Sequence, residues 1–506
     1  MPARNFVTRH GWLIAIACAY LYVFPYFPRI QSANELPRVY LVRAIVDEGT
    51  VAIDTGVRRW GATADVSPSN GHHYSNKAPG SSILAAPAYA VATAVASPGL
   101  AGSMWVCRVF AGILPALAFL WLLWGFLERF APDPAIRRLV VVAYALGSMA
   151  MTYSMLFFSH QLGAVCVGSA WILALDVVDG RRTRPWMAAA GAFAGAALLV
   201  DYQAVFAAVP VAVLVIVRLR REPLAELAKT LGAALAGAAV PVLALLVYHD
   251  AAFGSPLRTG YDASQSFAVY HQQGFLGITK LRAEAFWGSL FRPDNGLFVL
   301  APWLLLALPG AYALWRRGER GDRGIVLTSG AVVVIYVLFV SSINFWRGGW
   351  GTGPRYITAM LPFMLPLVAA ALQWLKTRPA LLGAAAGTIV AGVAIYSLSM
   401  MTFPYWPDSL KNPLVEVTFR MLGDNLVAPS LGSALGIAGL AGVLPYLALV
   451  AGSLGVALVR AATLRGAAIA CVVGAALLAL FLAFPASSPA TRDHAYGYVK
   501  NVVTDP

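Results

Sequence analysis

The chain has 506 residues, of which 59% are hydrophobic and only 12% charged, and its mean hydropathy is +0.69. A soluble domain has about 25% charged residues, so the composition excludes an ordinary soluble fold, and apolar blocks of about 20 residues indicate an all-α polytopic membrane protein. The net charge of +14 predicts no nucleic-acid partner, because most Lys and Arg residues lie in short linkers, as membrane topology requires.

The first apolar block, from Trp12 to Phe27, predicts a membrane helix. It ends in FPYFPRI rather than in a small-residue cleavage site, so we do not expect a cleavable signal peptide. The four cysteines fall inside apolar blocks and lack metal-ligand spacing, which disfavours both a zinc site and a disulfide framework.

Thirteen membrane-spanning helices are predicted from the apolar blocks and the positive-inside rule. Linkers dense in Lys and Arg mark cytoplasmic turns, and they lie at 1–10, 127–138, 179–184, 218–229, 316–324, 376–379 and 460–466. All of them lie on one side only if residues 79–98 do not cross, so we predict a juxtamembrane helix there on the outer face. The N-terminus is then cytoplasmic and the C-terminus outside. The predicted spans are 11–28, 105–127, 139–157, 161–178, 186–200, 203–217, 230–249, 296–315, 325–343, 357–375, 380–400, 433–459 and 467–485.

The first outer loop, residues 29–80, opens with a predicted amphipathic helix in the membrane interface. Apolar residues recur at helical spacing from Leu36 to Val46. Glu35 lies at the start of this helix, where the helix dipole favours a carboxylate. It is placed to act as a general base on an acceptor hydroxyl; the alternative is an ordinary helix-terminal charge.

The end of the same loop reads NGHHYSNKAPG, residues 70–80. Lys77 offers a point charge for a phosphate, or it is a snorkelling lysine at a helix start. His72 and His73 have no His-x3-His spacing or carboxylate partner, which favours a surface or hydrogen-bonding role over a metal site.

Three later outer segments, residues 249–267, 289–302 and 344–362, are rich in turn formers, cations and aromatic residues. The first of them contains Arg258 and Tyr261. No P-loop and no GxGxxG motif occurs along the chain, so a reaction on a lipid-linked phosphate fits better than one on a soluble nucleotide donor.

The segment NFWRGGWGTGPRYITAMLP, residues 344–362, combines glycines that allow close backbone approach with Arg347 and Arg355. These arginines predict bidentate phosphate donors. Trp346 and Trp350 offer an apolar or sugar-stacking surface, or they belong to the interfacial aromatic belt.

His160 and Asp201 lie at the predicted outer ends of helices. Ionisable groups near or inside a membrane span are functional candidates. A capping or packing hydrogen bond is the alternative for each.

Taken together, the runs NELPRVYLVRAIVDEGTVAID and NGHHYSNKAPGSSILAAPAY resemble the first outer loop of GT-C glycosyltransferases. That superfamily includes lipid A aminoarabinose transferases, protein O-mannosyltransferases and bacterial polyprenyl-phosphate-sugar transferases. FGSPLRTGY, NGLFVLAP and GGWGTGPRYITAMLP resemble segments of its bacterial branch, and the resemblance covers about residues 10–375.

The resemblance implies an inverting displacement at the anomeric carbon of a polyprenyl-phosphate sugar. Glu35 matches the catalytic acidic position, but the usual acidic pair DE reads NE here, which leaves open whether Asp54 or Asp65 shares the role of base. The implied donor-phosphate ligands are Lys77, Arg355, Arg347 and Arg258. The candidate substrate-binding residues are Asn34, His73, Tyr74, His160, Tyr261, Trp350 and Tyr356.

The resemblance also suggests a domain plan: a catalytic module over residues 1–375 that includes the outer loop 29–104, variable C-terminal helices over 376–485, and a short, only partly ordered outer tail over 486–506. We expect a monomer in the cytoplasmic membrane, with its active site on the outer face and a lipid or glycan acceptor. No metal cofactor is required if cations neutralise the phosphate, although some GT-C members use a divalent metal. The alternatives are an oligosaccharide ligase or polymerase with a pyrophosphate-linked donor, a transporter or flippase, and a non-catalytic scaffold.

Overall fold

The computed structural model describes residues 2–30, 32–275 and 277–504, which are almost entirely helical. The α-helices are Pro2–Tyr22, Leu36–Arg43, Asp54–Trp60, Gly80–Val95, Leu100–Arg108, Leu114–Phe126, Pro134–Leu146, Met149–Met155, Ser159–Val178, Pro185–Val200, Val205–Leu219, Leu224–Phe253, Ala268–His271, Ala283–Phe291, Leu297–Leu300, Ala307–Arg317, Arg320–Ser342, Leu361–Leu375, Pro379–Met401, Phe419–Gly423, Leu431–Ala434, Gly439–Leu482 and Pro489–Thr504. Short 3-10 turns are Pro28–Ile30, Leu127–Arg129, Tyr202–Ala204, Pro302–Leu306 and Arg355–Met360, and π-turns are Ala44–Glu48, Val109–Ile113 and Leu414–Thr418. One antiparallel hairpin joins the strands Val66–Ser69 and His72–Ser75.

Within the described ranges, eight helices or continuous helical runs are long and apolar enough to cross a membrane. A ninth candidate is the helix pair Pro134–Leu146 and Met149–Met155, which is bent by 55°. The protein is therefore a multi-pass membrane protein, as the composition predicts.

Each of the thirteen predicted spans falls on one of these helices or on a helical run. Fewer than thirteen helices are long and apolar enough to cross by themselves, because some of the predicted spans are broken or short. The helix Gly439–Leu482 contains two predicted spans, separated where Thr463 adopts a φ of 64° that a β-branched residue rarely takes within a helix. The predicted span 296–315 is divided among Leu297–Leu300, Pro302–Leu306 and Ala307–Arg317.

The juxtamembrane helix predicted at residues 79–98 corresponds to Gly80–Val95. Its 16 residues are fewer than the roughly 20 that a full crossing needs. It packs against the helix Leu36–Arg43, where the Ser82 hydroxyl donates to the Arg38 carbonyl at 3.0 Å. The Tyr89 hydroxyl also bonds Asp47 at 3.0 Å, so the two amphipathic helices of the first loop form one layer.

The C-terminal helices pack into the same hydrophobic core as the rest of the chain. Pro379–Met401 lies close against Gly439–Leu482, because a Cβ on Gly383 would come within 2.6 Å of the Gly466 carbonyl oxygen; small residues let membrane helices approach in this way. The prediction of a partly ordered tail at 486–506 was wrong, because Pro489–Thr504 is a helix whose one face is buried. The domain boundary at residue 375 stays a prediction.

Candidate active site

Two adjoining cavities lie where the predicted outer segments meet. One, of about 370 Å³, is here called the apolar groove, and the other, of about 380 Å³, the aromatic chamber. Both are lined by Asn34, Lys77, Arg355 and Tyr356, so these four residues form a shared junction. The structure thus brings together residues more than 300 positions apart in the sequence.

The apolar groove runs from the junction along the ends of several long helices. Its apolar lining comprises Leu198, Val200, Val205, Phe206, Leu245, Leu246, Leu257, Phe275, Ile278, Phe339 and Ile343. Its charged and titratable lining includes Arg38, Lys77, His160, Asp201, His249, Tyr261 and Arg355, and Asn34, Ser159, Tyr202, Gln203, Thr259 and Tyr356 complete its polar lining. An apolar groove that ends at a small set of cations is suited to a lipid with an anionic head group.

The hairpin of the first loop places Lys77 at the junction. Its turn is Asn70–Gly71, with φ values of 50° and 80°, as a two-residue type I′ turn requires. At its open end the Asn76 amide donates to the Asp65 carbonyl at 3.1 Å, and the Lys77 ammonium pairs with the Asp65 carboxylate at 2.9 Å. The Asn-Gly turn therefore fixes this ion pair.

Lys77 is poised to exchange its partner. Its side chain is about 10% exposed, and burial lowers its pKa, an effect that the Asp65 carboxylate opposes and the charges of Arg38 and Arg355 reinforce. An anion entering the junction would stabilise the ammonium form. Lys77 lies between the two cavities, so it can contact a ligand in either.

Arg38 and Arg355 approach the same junction from different elements. The Arg38 guanidinium is buried and donates to the Ala78 carbonyl at 3.1 Å and to the hydroxyls of Ser81 at 2.9 Å and Ser159 at 3.0 Å. These bonds orient Arg38 rigidly, and its charge adds to the potential at the groove.

Arg355 is enclosed by the glycine-rich loop that precedes it. It donates to the carbonyls of Gly348 and, at 3.4 Å, of Trp350. Gly348 has a φ of 73°, and a Cβ there would lie 2.7 Å from the Arg355 Nε, so glycine is required for this close contact. The buried Nε of Arg355 has no partner among the described residues, which leaves a donor for a ligand.

His160 and Asp201 form a buried pair in the groove wall. The His160 Nδ1 lies 2.8 Å from the Asp201 Oδ2, and Gln203 also donates to that oxygen at 3.2 Å. The buried Nε2 of His160 has no partner in the part of the chain described. This pairing explains how a carboxylate and an imidazole are held in an apolar wall, so both alternatives for these residues, packing and ligand contact, remain open.

The aromatic chamber differs from the groove in its lining. Its rings come from Phe158, Phe267, Tyr270, Phe345, Trp350, Tyr356 and Tyr405, and its two carboxylates are Asp65 and Asp408. Asp65 is buried, with Oδ1 on Lys77 and Asn76, while its Oδ2 has no hydrogen bond within the described residues. A carboxylate with one oxygen paired and the other free, at the edge of a chamber, is placed to accept a proton.

Glu35 does not face either cavity. Its side chain is 1% exposed and accepts from the Arg108 guanidinium through both oxygens, at 2.9 and 3.1 Å. It also accepts from the Tyr405 hydroxyl at 2.5 Å and the Phe157 amide at 2.6 Å. This saturated carboxylate holds the chamber wall, so its role as general base stays a prediction that the geometry does not favour.

The other predicted site residues divide into two groups. Asn34, Lys77, His160, Tyr261, Trp350, Arg355 and Tyr356 line the cavities. Asp54, His73, Tyr74, Arg258 and Arg347 do not, and their predicted roles have no geometric support.

The contacts of this second group explain its position. Arg347 pairs with the buried Asp294, and Arg258 is exposed. Burial raises the pKa of Asp54, but hydrogen bonds from His72 and His73 outweigh it and bring the pKa below its ordinary value. Asp54 thereby anchors the hairpin. Tyr74 is buried against Phe253, with ring centroids 5.7 Å apart.

Sequence reasoning did not single out Arg38, Arg108, Tyr405 or Asp408. Arg38 was predictable only as part of an amphipathic helix, and the others depend on contacts between distant segments. Asp65 was one of the open alternatives for the base, and its position next to Lys77 could have been found from the Asn-Gly hairpin signal.

No metal centre is evident in the described ranges. No group of three or more His, Cys, Asp or Glu side chains there could hold a metal ion. Asp65 and Asp201, the carboxylates nearest the junction, are engaged by Lys77 and His160. The expectation that no metal is required stays a prediction.

The fold can be compared with known proteins. No protein-family model and no curated protein matches the chain. ArnT from Cupriavidus metallidurans in the apo state superposes with a TM-score of 0.51 at 15% identity, over 95% of this chain and 78% of ArnT. The apo oligosaccharyltransferase of Archaeoglobus fulgidus superposes with a TM-score of 0.50 at 12% identity, over 92% of this chain and 56% of that one.

These similarities define the class of the protein. Both structures are GT-C glycosyltransferases, so the chain is a multi-pass membrane protein with the GT-C fold. This confirms the fold expected from the resemblance in the first outer loop. At such low identity the likeness concerns the fold, and the chemistry has to be argued from the site.

Proposed function

We propose that the protein is a glycosyltransferase that moves a hexose or pentose from a polyprenyl-phosphate donor to a hydroxyl of a lipid or glycan acceptor. The observation that carries the proposal is the junction itself, where Lys77 and Arg355 separate an apolar groove from a chamber containing Asp65. The groove suits the lipid, the cations suit the phosphate, and the chamber suits the sugar and the acceptor.

The charge at the junction favours a monophosphate donor over a pyrophosphate donor. Arg38, Lys77 and Arg355 line the groove, whereas the nearby carboxylates are Asp201 and the Lys77 partner Asp65. With His160 neutral, these cations and carboxylates together carry one net positive charge. A sugar phosphodiester carries one negative charge, while a sugar pyrophosphate carries two and would require a further cation or a metal.

In the proposed reaction Asp65 takes the proton of the acceptor hydroxyl, whose oxygen attacks the anomeric carbon from the face opposite the phosphate. The bond between the anomeric carbon and the phosphate oxygen breaks, and its electron pair stays on the departing polyprenyl phosphate. The product is inverted at that carbon. Lys77 and Arg355 stabilise the developing phosphate charge, a contribution of about 3–4 kcal/mol for one well-placed donor.

The membrane orientation is part of the proposal. The cavity linings come from predicted outer loops and the outer ends of predicted spans, opposite to the Lys- and Arg-rich turns. By the positive-inside rule the site opens on the outer face of the cytoplasmic membrane. The enzyme then works as a monomer on a donor delivered to that leaflet.

The first test compares Asp65→Asn with Glu48→Gln, which replaces an exposed carboxylate in the same loop but outside the cavities. Both purified variants are supplied with a panel of polyprenyl-phosphate hexoses and pentoses, and release of polyprenyl phosphate is measured. We expect Asp65→Asn to lose about 10²- to 10⁴-fold in turnover and Glu48→Gln to retain it. Full activity of Asp65→Asn would reject Asp65 as the base.

The second test addresses the donor phosphate. Arg355→Gln removes a cation at the junction, and Arg258→Gln removes an exposed one from a neighbouring outer loop. We expect only Arg355→Gln to weaken donor use, by roughly 10- to 100-fold in kcat/KM. Turnover of pyrophosphate-linked sugars in preference to monophosphates would contradict the proposed donor.

A further inference from the structure

Part of the wall of the aromatic chamber comes from the last third of the chain. Phe345 and Trp350 come from the glycine-rich loop, and Tyr405 and Asp408 come from the segment after the helix Pro379–Met401. Tyr405 and Asp408 thus lie beyond residue 375, in a part of the chain that the resemblance leaves uncharacterised.

The helix Pro489–Thr504 is fixed to the short helix Phe419–Gly423 and to the residue that follows it. Lys500 and Tyr496 both bond the Asp424 carboxylate, at 2.7 and 2.8 Å, and Arg420 bonds Asp493 at 2.8 Å. The buried face of the helix consists of Ala495, Tyr496, Val499 and Val502. The helix is thus held in one orientation above the outer segments.

This orientation places Tyr498 against Trp350. Their ring centroids are 5.6 Å apart and the rings are nearly perpendicular, at 84°, which is a favourable edge-to-face geometry. Trp350 is also tied through its carbonyl to Arg355 at 3.4 Å. The indole is therefore a fixed surface on the chamber wall.

Asp408 supplies a second kind of contact. It is exposed and lines the chamber, and its carboxylate has no hydrogen-bond or ion-pair partner within the described residues. A free carboxylate accepts hydrogen bonds from hydroxyl groups, and an aromatic face covers the apolar side of a sugar ring.

On this basis, and resting on the proposed function, we propose that the aromatic chamber is an acceptor subsite for a neutral carbohydrate. Trp350 is the stacking surface, Asp408 accepts from sugar hydroxyls, and Tyr498 is a positioning residue that holds Trp350. The unpaired Asp408 carboxylate repels an anionic lipid head group, whereas Asp65 is paired with Lys77. Among the described residues, no strand edge lies in the chamber lining to pair with an extended peptide, which favours a glycan over a protein acceptor.

The binding test uses the full-length protein in lipid nanodiscs and saturation-transfer NMR. The probes are a panel of neutral linear trisaccharides of hexoses and pentoses, a Ser/Thr peptide and dioleoyl phosphatidylglycerol. We expect at least one trisaccharide to bind, and to bind about 10-fold more weakly to Trp350→Ala and to Asp408→Ala. The matched controls, Trp287→Ala and Asp250→Ala, replace exposed residues outside the chamber and should bind as the wild type.

A kinetic test checks the role of Tyr498. Tyr498→Ala should raise the KM of the carbohydrate acceptor several-fold and leave the donor KM unchanged. Tyr498→Phe should match the wild type, because the contact with Trp350 is made by the ring. A donor effect equal to the acceptor effect would indicate general damage and overturn the positioning role.

The outcomes separate this inference from the proposed function. Binding of no trisaccharide, binding by both chamber variants as tight as by the wild type, or Trp350-dependent binding of the peptide or the lipid would overturn the carbohydrate subsite. If trisaccharides bind through Trp350 but Asp65→Asn retains full turnover, the proposed reaction fails and the subsite stands.

Discussion

Replacing Glu35 with Gln should lower the free energy of unfolding of the protein rather than remove its catalytic base. The substitution keeps the shape of the side chain but leaves the buried Arg108 guanidinium without a counter-charge, since both carboxylate oxygens bond it at 2.9 and 3.1 Å. Removing one partner of a buried ion pair costs about 3–5 kcal/mol. This is a large share of a typical total stability of about 5–15 kcal/mol.

The assay measures thermal unfolding in detergent together with turnover per folded molecule. We expect Glu35→Gln to lower the midpoint of unfolding clearly, while the folded fraction keeps most of its turnover. Replacing the pair together, as Glu35→Gln with Arg108→Met, should recover much of the lost stability, because no unpaired charge then remains. A Glu35→Gln variant with wild-type stability and no turnover would refute this reasoning and restore Glu35 as the base.

Two further predictions concern the cations at the junction. Because burial lowers the pKa of Lys77, its charge is present at low pH and lost as the pH rises through that lowered value; the donor KM should therefore rise on the alkaline side. Lys77→Arg should abolish this rise, because a guanidinium stays charged, and an identical pH profile for the two proteins would contradict the assignment. Gly348→Ala should displace the Arg355 side chain, which lies 2.7 Å from the added Cβ position, and should weaken donor use; an unchanged donor KM would count against Arg355.

The helices were predictable because membrane spans have a strong signature. Apolar length and Lys/Arg asymmetry are enough to place helices on all thirteen predicted spans and a further helix at Gly80–Val95, whose position outside the membrane core stays a prediction. The polar tail was misjudged because a helix such as Pro489–Thr504, which buries one face on other outer segments, carries little hydropathy signal of its own.

Residues of the site were predictable from the sequence only where a segment offers few residues of the required chemical type. Lys77 and Arg355 stand in short, turn-rich segments, and the structure places both at the junction. The burial of Glu35 away from the cavities could not be predicted from the sequence, because it depends on contacts with Arg108, 73 residues further on, and with the still more distant Tyr405.

The contact between Lys77 and Asp65 has a consequence for the order of events in the catalytic cycle. While the Lys77 ammonium is paired with the Asp65 carboxylate, the charge of the carboxylate is neutralised and it is a poor proton acceptor for an incoming hydroxyl. A donor phosphate that binds the Lys77 ammonium in place of Asp65 also frees the Asp65 carboxylate to accept a proton. On the proposed function, donor binding therefore prepares the site for the acceptor. Without a bound donor Asp65 stays paired with Lys77, so an acceptor hydroxyl is not activated before the donor arrives.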